Sequence, residues 1–526
     1  MSLVTYIILC PFLGALAVLL TPRRQRVAAH GLALAATLAS LCLCLVVFWN
    51  FQAGQAGWQF EQQVPWVAAL GISYHVGVDG LNIGLLLMGS VVAFAAACVS
   101  WEIKERDKEF YFLLLVMTGG IMGAFASIDL FFFYFFHELA LVPTFIMIGV
   151  WGRGERKNFA TFQITLYLSV GALIALIGLI ALYLQSGARS FDLVDLTRQL
   201  RVNPLSASAQ YGIFGLLMFG FGILVSLWPF HSWAPLGYAS APTATAMLHA
   251  GVLKKFGLYG LLRIAVPLLP EGAKAWLPVL ACLCLGNILY CGLVAMRQRD
   301  LNLLLGNSSV AHVGFAFLGI ASYTLIGTTG AVVVMIAHGF LAALSFAASG
   351  YLYQQTGTLD MDQLGGLMKR LPFMGAVLMI ALLAGCGVPG FANFVGEAMV
   401  LFGAWPGQPW VAGLALWGAL AIGAIYMLRA ARAVLHGPLA QKWETIADAT
   451  NPWRQVPFVL LTASLLVLGC YPRLMTDKIK TSAEALLKPT AYIAVPVAAA
   501  EGRQRETVVS ATAPAVSSIV RTFDAP

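Results

Sequence analysis

Three apolar stretches of this chain carry ionisable side chains whose chemistry suits proton transfer. They are Lys254 and Lys255 in residues 246–264, His137 and Glu138 in residues 130–151, and Glu397 in residues 373–402. Placing one charge near the centre of a bilayer costs about 3 kcal/mol or more, so such groups mark functional sites by default. Basic and acidic groups that alternate inside a membrane are what a proton path requires. The sequence therefore indicates a candidate proton path within membrane-spanning helices.

The composition is that of a polytopic membrane protein. Of 526 residues, 60% are hydrophobic and 10% are charged, whereas soluble proteins carry about 25% charged residues. The net charge of +8 comes mainly from Lys and Arg in loops and the tail, so we expect no nucleic-acid partner. The nine cysteines form no CxxC pair, and no nucleotide-binding glycine motif occurs. We therefore expect no metal or cofactor site in this chain.

The predicted fold class is an all-α membrane protein. A helix needs about 20 apolar residues to cross the hydrocarbon core, and a scan on this length predicts about 14 transmembrane helices. The predicted spans begin near Leu3, Ala28, Leu81, Glu109, Leu130, Phe159, Tyr211, Ala241, Trp276, Leu301, Leu325, Phe373, Trp410 and Val456.

Basic residues occur in every second loop. Loops rich in Lys and Arg, such as residues 104–108, 153–157 and 297–299, alternate with loops such as residues 51–80, which contain neither. Short basic loops stay in the cytoplasm. We therefore expect these loops to be cytoplasmic and both termini to lie on the non-cytoplasmic side.

Two predicted spans, the seventh and the twelfth, contain Pro and Gly runs that break a helix, at residues 227–235 and 385–391. Proline removes a backbone donor, and unwound backbone at membrane depth occurs only inside protein or beside water. The breaks lie five spans apart, which is typical of inverted repeats around a central ion path. The spacing predicts two inverted five-helix repeats.

The predicted organisation follows from these breaks. It comprises residues 1–108 with transmembrane helices 1–3, residues 109–265 as the first repeat (helices 4–8), residues 274–431 as the second repeat (helices 9–13), residues 432–475 with the last transmembrane helix, and residues 476–526 as a polar tail. Within the tail, residues 476–487 are predicted to form an amphipathic helix at the membrane surface. About the last 20 residues are predicted to be disordered.

Six motifs, in order, resemble those of the proton-translocating antiporter-like subunits of respiratory complex I. They are VGVDGLN (76–82), FHELALVP (136–143), WPFHSWAPLGYASAPTATAMLHAGVLKKFGLYGLLRI (228–264), SSVAHVG (308–314), IAHG (336–339) and NFVGE (393–397). The resemblance extends to about residue 473. Glu397 makes the chain most similar to the M-type subunits of NADH:quinone oxidoreductase, because related subunits tend to have lysine there.

The resemblance implies a membrane-arm subunit that has no redox centre of its own and lies in a bacterial inner (plasma) membrane. NADH, flavin, iron-sulfur clusters and quinone are expected in partner subunits, and the other membrane-arm subunits and the lipid bilayer are the expected neighbours. The subunit would couple NADH oxidation and quinone reduction elsewhere in the enzyme to proton translocation.

The resemblance also implies roles for the buried charges. Glu138 biases the proton affinity of a lysine, Lys255 is the central proton carrier, His312 and His338 link it to the exit, and Glu397 is the exit carboxylate. Lys254 is either a second relay position or part of a structural ion pair. Adjacent helical positions point about 100° apart, so His137 need not share the pocket of Glu138. His231 and His249 line water or cap backbone.

The chain departs from the family at one position. Members normally have a lysine in the seventh span that pairs with the fifth-span glutamate, and Leu224 occupies that position here. Without a cation, Glu138 should hold its proton more tightly. Lys254, Lys255 or His231 replaces the cation, a neighbouring subunit supplies it, or the subunit does not pump and is only structural. A subunit of a Mrp-type cation/proton antiporter or of an ion-pumping hydrogenase is the alternative function.

Overall fold

The computed structural model describes residues 1–22 and 25–487, and it is mostly helical. The first helices are α1 (Leu3–Leu20), α2 (Arg26–Asn50), α3 (Ile83–Val99), α4 (Asp107–Ala126), α5 (Leu130–Trp151), α6 (Lys157–Ser186), α7 (Leu193–Val202) and α8 (Ala207–Val225). The central helices are α9 (Trp233–Ser240), α10 (Thr243–Leu248), α11 (Lys255–Gly260), α12 (Val266–Leu268), α13 (Pro270–Leu285), α14 (Gly292–Arg297), α15 (Leu301–Ala321) and α16 (Leu325–Thr356). The last helices are α17 (Pro372–Gly385), α18 (Ala392–Ala404), α19 (Pro409–Trp417), α20 (Ala424–Leu435), α21 (Pro452–Cys470) and α22 (Arg473–Leu487).

Twelve helices in the described part of the chain are long and apolar enough to cross a membrane. Some consist of two α-helical pieces joined by a π-helical turn, as in Pro270–Arg297 and Pro409–Leu435. Two shorter apolar helices, α17 and α18, lie on either side of a break. The chain is therefore an integral, multi-pass membrane protein, as its composition predicts.

Both predicted helix breaks occur in the structure. α8 ends at Val225, Ser226 has a left-handed φ of 70°, and regular helix resumes only at Trp233. The Asn287 side chain compensates for the break, because its Nδ2 donates to the carbonyl oxygen of Ser226 at 2.9 Å and its Oδ1 accepts from the backbone N–H of Trp228 at 2.8 Å. Burying an unpaired backbone group costs about 1–3 kcal/mol, so Asn287 stabilises the unwound segment.

The expectation of an all-α chain is wrong for residues 59–78. Strands β1 (Gln59–Val67) and β2 (Ile72–Val78) form an antiparallel two-stranded sheet. A search for membrane-length apolar runs passes over this segment, because its strands are short and β1 is polar. β2 is rich in β-branched and aromatic residues that favour strands, and it is largely buried.

The two ends of the helix bundle differ in character. At one end, here called the hairpin face, the β1–β2 sheet contacts the first residues of α5 and α7. At the other end, here called the basic face, lie the Lys- and Arg-containing loops at residues 103–106, 152–156 and 298–300. The predicted tail helix exists as α22; it lies on the hairpin face, where Ser482 Oγ accepts from the backbone N–H of Gly80 at 2.9 Å. The predicted disorder of the last residues falls outside the described residues.

A histidine between two carboxylates holds the sheet to α7. His75 of β2 contacts Asp192, the N-cap of α7, through Nδ1, and its Nε2 lies 2.6 Å from Glu61 Oε1. Burial lowers the pKa of His75, but the hydrogen bonds and charges of Asp192 and Glu61 outweigh burial and raise that pKa to about 9. Burial also raises the pKa of the nearby Asp129 to about 6. Above pH 7, His75 is therefore the group of this cluster whose charge changes.

We expect the attachment of the sheet to weaken at high pH. Because the folded-state pKa of His75 lies above its usual value of 6.5, its contribution is fully present below about pH 6.5 and is lost as the pH rises through about 9. Allowing for solvent screening at Glu61, the free energy of opening of β2 should fall by about 2 kcal/mol. Hydrogen exchange of the Ile72–Val78 amides at pH 6.5 and 9.5 measures this quantity. A His75→Gln variant should show no such change, and a pH-independent opening energy in the unmodified protein would refute the expectation.

Candidate functional site

The two buried lysines lie in a helix that is wound irregularly. α10 passes into a π-helical turn, His249–Leu253, before α11 begins at Lys255. At this turn the backbone of Gly251 closely approaches α16, since a Cβ added to Gly339 would lie 2.9 Å from the carbonyl oxygen of Gly251. The small residues on both sides allow Lys255 to reach the side chain of His338 on α16.

Four predicted site residues form one line through the protein interior. Lys255 Nζ donates to the carbonyl oxygen of Ala250 at 2.6 Å and lies 2.7 Å from His338 Nδ1. The ring centroids of His338 and His312 are 6.0 Å apart. His312 Nε2 lies 3.7 Å from Glu397 Oε1. The structure therefore brings these four residues together, but the two histidines are exchanged relative to their sequence order, because His338 contacts Lys255 and His312 lies next to Glu397.

The line ends at the second helix break. His312 Nε2 lies 3.1 Å from the carbonyl oxygen of Gly385, the last residue of α17. A cavity of about 10 Å³ lies between His312, Glu397 and Tyr426, which is room for about one water molecule. Glu397 Oε1 is buried with no hydrogen-bond partner among the described residues. A water molecule in this cavity would therefore connect His312 to Glu397.

Lys254 points away from Lys255. Its Nζ donates to the backbone and side-chain oxygens of Ser309 on α15, at 3.3 and 3.2 Å, and lies 5.7 Å from the ring centroid of Tyr238. Lys255 instead bonds to α16 through His338. The two adjacent lysines thus contact different helices. Lys254 bonds to Ser309 and not to a carboxylate, so it does not form the structural ion pair considered for it among the described residues.

Glu138 contacts none of the lysines or histidines that the sequence offered as its replacement cation, as far as the described residues show. Its Oε1 lies 3.4 Å from Nδ1 of the adjacent His137, so these two residues do share a site despite their positions on the helix. The side chain of Glu138 is 34% exposed, on the outer face of α5 beside the exposed Phe135 and Val142. Glu138 therefore lies at the edge of the bundle and not deep within it.

His249 lies between this pair and the lysines. The charged and titratable groups that act on His249 are Lys254, His137 and Lys255. Within the described chain, the Nδ1 atoms of His249 and His137 are buried without a hydrogen-bond partner. Since buried polar groups are normally paired with protein or water, His249 is a candidate connection, whereas the sequence predicted only that it lines water or caps backbone.

Two open cavities lie on the basic face. One, of about 590 Å³, is lined by Glu102, Arg153, Thr243 and Gln354, and the other, of about 310 Å³, by Arg153, Ser240, Asp300 and Tyr353. Glu102 accepts hydrogen bonds from the backbone N–H and the hydroxyl of Thr243 at 2.8 and 2.9 Å. It thereby caps α10, the helix that leads to the lysines.

Between these cavities and Lys254 lie buried polar side chains that find no partner in the described part of the protein. They are Tyr238, Thr245, His249 and Asn302. Buried water usually satisfies such groups. Sequence reasoning missed Tyr238, Thr245 and Asn302, although polar residues in predicted membrane helices were the available signal. Water molecules at these positions would connect the basic face to Lys254.

No group of three or more His, Cys, Asp or Glu side chains that could hold a metal ion occurs in residues 1–22 and 25–487. The chemistry available to the site is proton exchange between carboxylate, imidazole and amine groups. Lysine and histidine suit this exchange because their environment readily shifts their proton affinity.

Comparison with known proteins agrees with this chemistry. Residues 127–423, more than half of the chain, match the family model described as NADH:quinone oxidoreductase/Mrp antiporter, TM. NADH-quinone oxidoreductase subunit M of Rhodobacter capsulatus is 33% identical, over 88% of this chain and 90% of that protein. F(420)H(2) dehydrogenase subunit M of Methanosarcina mazei is 32% identical, over 93% and 99% of the two chains.

Solved structures show the same similarity. A chain in respiratory complex I from Thermus thermophilus with bound NADH superposes with a TM-score of 0.84 at 30% identity, covering 93% of this chain and 99% of that chain. A chain of the Mrp complex from Dietzia sp. has a TM-score of 0.81 at 20% identity, over 94% and 99% of the two chains, and shares the fold. This chain belongs to the NADH:quinone oxidoreductase/Mrp antiporter transmembrane family.

Proposed function

We propose that this chain is the M-type membrane-arm subunit of a NADH:quinone oxidoreductase and that it translocates protons. The observation that carries the proposal is the line from Lys255 through His338 and His312 to Glu397, in which two contacts measure 2.7 and 3.7 Å. Redox chemistry with NADH, flavin, iron-sulfur clusters and quinone takes place in partner subunits. This chain supplies the groups that accept, pass on and release protons.

The proton path runs from the basic face to the second helix break. Protons enter through the cavities beside Glu102 and Arg153 and reach Lys254 over water held by Tyr238 and Asn302. Lys254 and Lys255 share the proton, and His338 and His312 pass it to Glu397. The unpaired buried polar atoms on both sides of the lysines support this route.

The proposed membrane topology has 14 transmembrane helices and includes two inverted repeats. The twelve long helices, together with the irregular span from α10 to α12 and the broken pair α17–α18, make 14 transmembrane helices. Residues 109–265 and 274–431 are the two inverted repeats, and the breaks after α8 and α17 support this because they lie at matching positions. The basic face lies in the cytoplasm of a bacterium, and both termini lie on the other side of its inner membrane.

A partner subunit covers the outer face of α5. Glu138 is 34% exposed, and an ionised carboxylate facing lipid at membrane depth is costly. A partner helix that supplies a polar or basic group there would remove this cost. His137 takes the place of the missing lysine within this chain, because it is the basic group that contacts Glu138.

A different electron donor is the second candidate, since the M. mazei relative is a subunit of an F(420)H(2) dehydrogenase. A Mrp-type antiporter is the third, because the family model includes both types. Purification of the tagged chain with its neighbours, followed by mass spectrometry, separates the three. Co-purification of flavin- and quinone-site subunits, in a complex that oxidises NADH, supports the proposal. A purified complex without redox subunits contradicts it.

We expect Glu138→Gln to lower the rate of proton pumping by about threefold, corresponding to about 0.7 kcal/mol in the barrier. Gln keeps the size of the side chain but cannot bind or release a proton, so His137 loses its charged neighbour. The effect is moderate because Glu138 lies at the edge of the bundle and not on the line from Lys255 to Glu397. NADH-driven acidification of inverted membrane vesicles measures the rate.

Glu105→Gln, in an exposed loop of the basic face and outside the lining of both cavities, is the matched control and should pump normally. A Glu138→Gln complex that assembles and pumps at the unmodified rate would show that Glu138 and His137 have no part in proton transfer.

A further inference from the structure

A cavity on the hairpin face remains outside the proton path. It has a volume of about 260 Å³ and lies between α7, the end of α12, the start of α13 and the end of α22. Its wall is mainly apolar and includes Leu193, Val194, Leu200, Leu205, Leu268 and Leu486. A cavity of this size accommodates part of a hydrocarbon chain.

One positive charge at this cavity is not neutralised by any residue that the structure describes. Arg263 also lines it, but its guanidinium is bonded to the Asp79 carboxylate and to the hydroxyl of Tyr259. Arg201, in the last turn of α7, has a buried Nε without a hydrogen-bond partner, and no carboxylate of the described chain forms an ion pair with it. The cavity therefore combines an apolar wall with an unpaired guanidinium.

The helix that carries Arg201 has the properties of a membrane-surface helix. α7 joins two membrane-spanning helices, α6 and α8, and buries Leu193, Leu196 and Leu200. Its opposite side is polar, with Arg198 and Asp195 exposed and paired at 3.2 Å. The buried leucines pack against the protein, and α7 connects α6 and α8 where these helices leave the membrane. Arg201 is thus near the level of the lipid headgroups.

We propose that this cavity binds an anionic glycerophospholipid, with the phosphate on Arg201 and the first part of an acyl chain against Leu200 and Leu268. Arginine is well suited to phosphate because its guanidinium donates in a fork geometry. The chain's own tail is a poorer occupant than an anionic lipid, because it has no net negative charge to pair with Arg201. Residues 488–526 contain four basic and three acidic side chains. The site requires only a membrane and is independent of the proton path.

The test measures binding of phosphatidylglycerol to the purified, delipidated complex by native mass spectrometry, with phosphatidylcholine as the zwitterionic comparison. We expect Arg201→Gln to weaken phosphatidylglycerol binding at this site by about tenfold, the size of one charge-assisted hydrogen bond. Arg198→Gln, on the same helix but exposed, should bind like the unmodified protein. Val194→Trp, which fills the apolar part of the cavity, should abolish lipid binding although the Arg201 side chain is still present.

Four results would overturn the proposal. The first is equal phosphatidylglycerol affinity in the unmodified, Arg201→Gln and Val194→Trp complexes, and the second is equal affinity for phosphatidylcholine and phosphatidylglycerol. The third is displacement of the lipid by inorganic phosphate alone. The fourth is lipid binding that appears only after residues 491–526 are deleted, which would show that the tail occupies the cavity. Proton pumping should be unchanged in Arg201→Gln, so failure of this proposal is distinct from failure of the proton path.

Discussion

Replacing Lys255 with Met should reduce NADH-driven proton pumping by about tenfold, corresponding to a barrier increase of about 1.4 kcal/mol. Met has a similar length and packs well in a buried site, but it cannot carry a proton. The variant removes the donor to the carbonyl oxygen of Ala250 and the 2.7 Å contact with His338. Acidification of inverted membrane vesicles by NADH measures the loss.

The matched control for Lys255 is Lys274→Met. Lys274 is exposed at the start of α13 and pairs with Glu271, so its replacement should leave pumping unchanged. Assembly of the complex is checked by co-purification, because Met at a buried position should not prevent folding. An assembled Lys255→Met complex that pumps at the unmodified rate would refute the central role of this lysine.

Glu397→Gln should reduce pumping by a similar factor, about tenfold, because it blocks the other end of the path. The glutamine amide fits the same volume, and it fills the position beside His312 without being able to take up or release a proton. Proton delivery from His312 then has no acceptor, although the contact distance of 3.7 Å is preserved. Vesicle acidification again provides the measurement.

Glu444→Gln provides the comparison for Glu397, since Glu444 is an exposed carboxylate near the basic face. We expect the Glu444 variant to pump normally. A Glu397→Asp variant should recover part of the activity, because a carboxyl group is restored in the same cavity. If Glu397→Gln and Glu397→Asp pump equally well, proton release does not pass through this carboxylate.

Hydropathy and helix breakers allowed much of this fold to be predicted. The starts of the spans agree with the helices to within about six residues, since membrane helices follow apolar length closely. The breaks at 227–235 and 385–391 were found because Pro and Gly runs in apolar segments leave a clear signal. The choice of His312, His338 and Glu397 came from motif resemblance, and the structure places them in contact range. Their predicted order was wrong, because helix packing puts His338 and not His312 beside Lys255.

Other features depend on three-dimensional packing and could not be predicted. The partners of Lys254 and Lys255, Ser309 on α15 and His338 on α16, depend on how these helices pack. The π-helical turn that precedes the lysines is marked by no residue type. The contact between His137 and Glu138 depends on side-chain torsions. The angle of about 100° between adjacent helical positions therefore did not predict whether the two side chains meet. The β1–β2 sheet is too short to stand out against long apolar helices.

The number of protons moved per NADH oxidised tests the central claim most directly. The purified complex is reconstituted into liposomes, and proton uptake and NADH oxidation are recorded together for the unmodified protein and for Lys255→Met. The account predicts a lower ratio in the variant, because electron transfer in partner subunits continues while one proton path is blocked. An unchanged ratio in an assembled, electron-transferring Lys255→Met complex would contradict it.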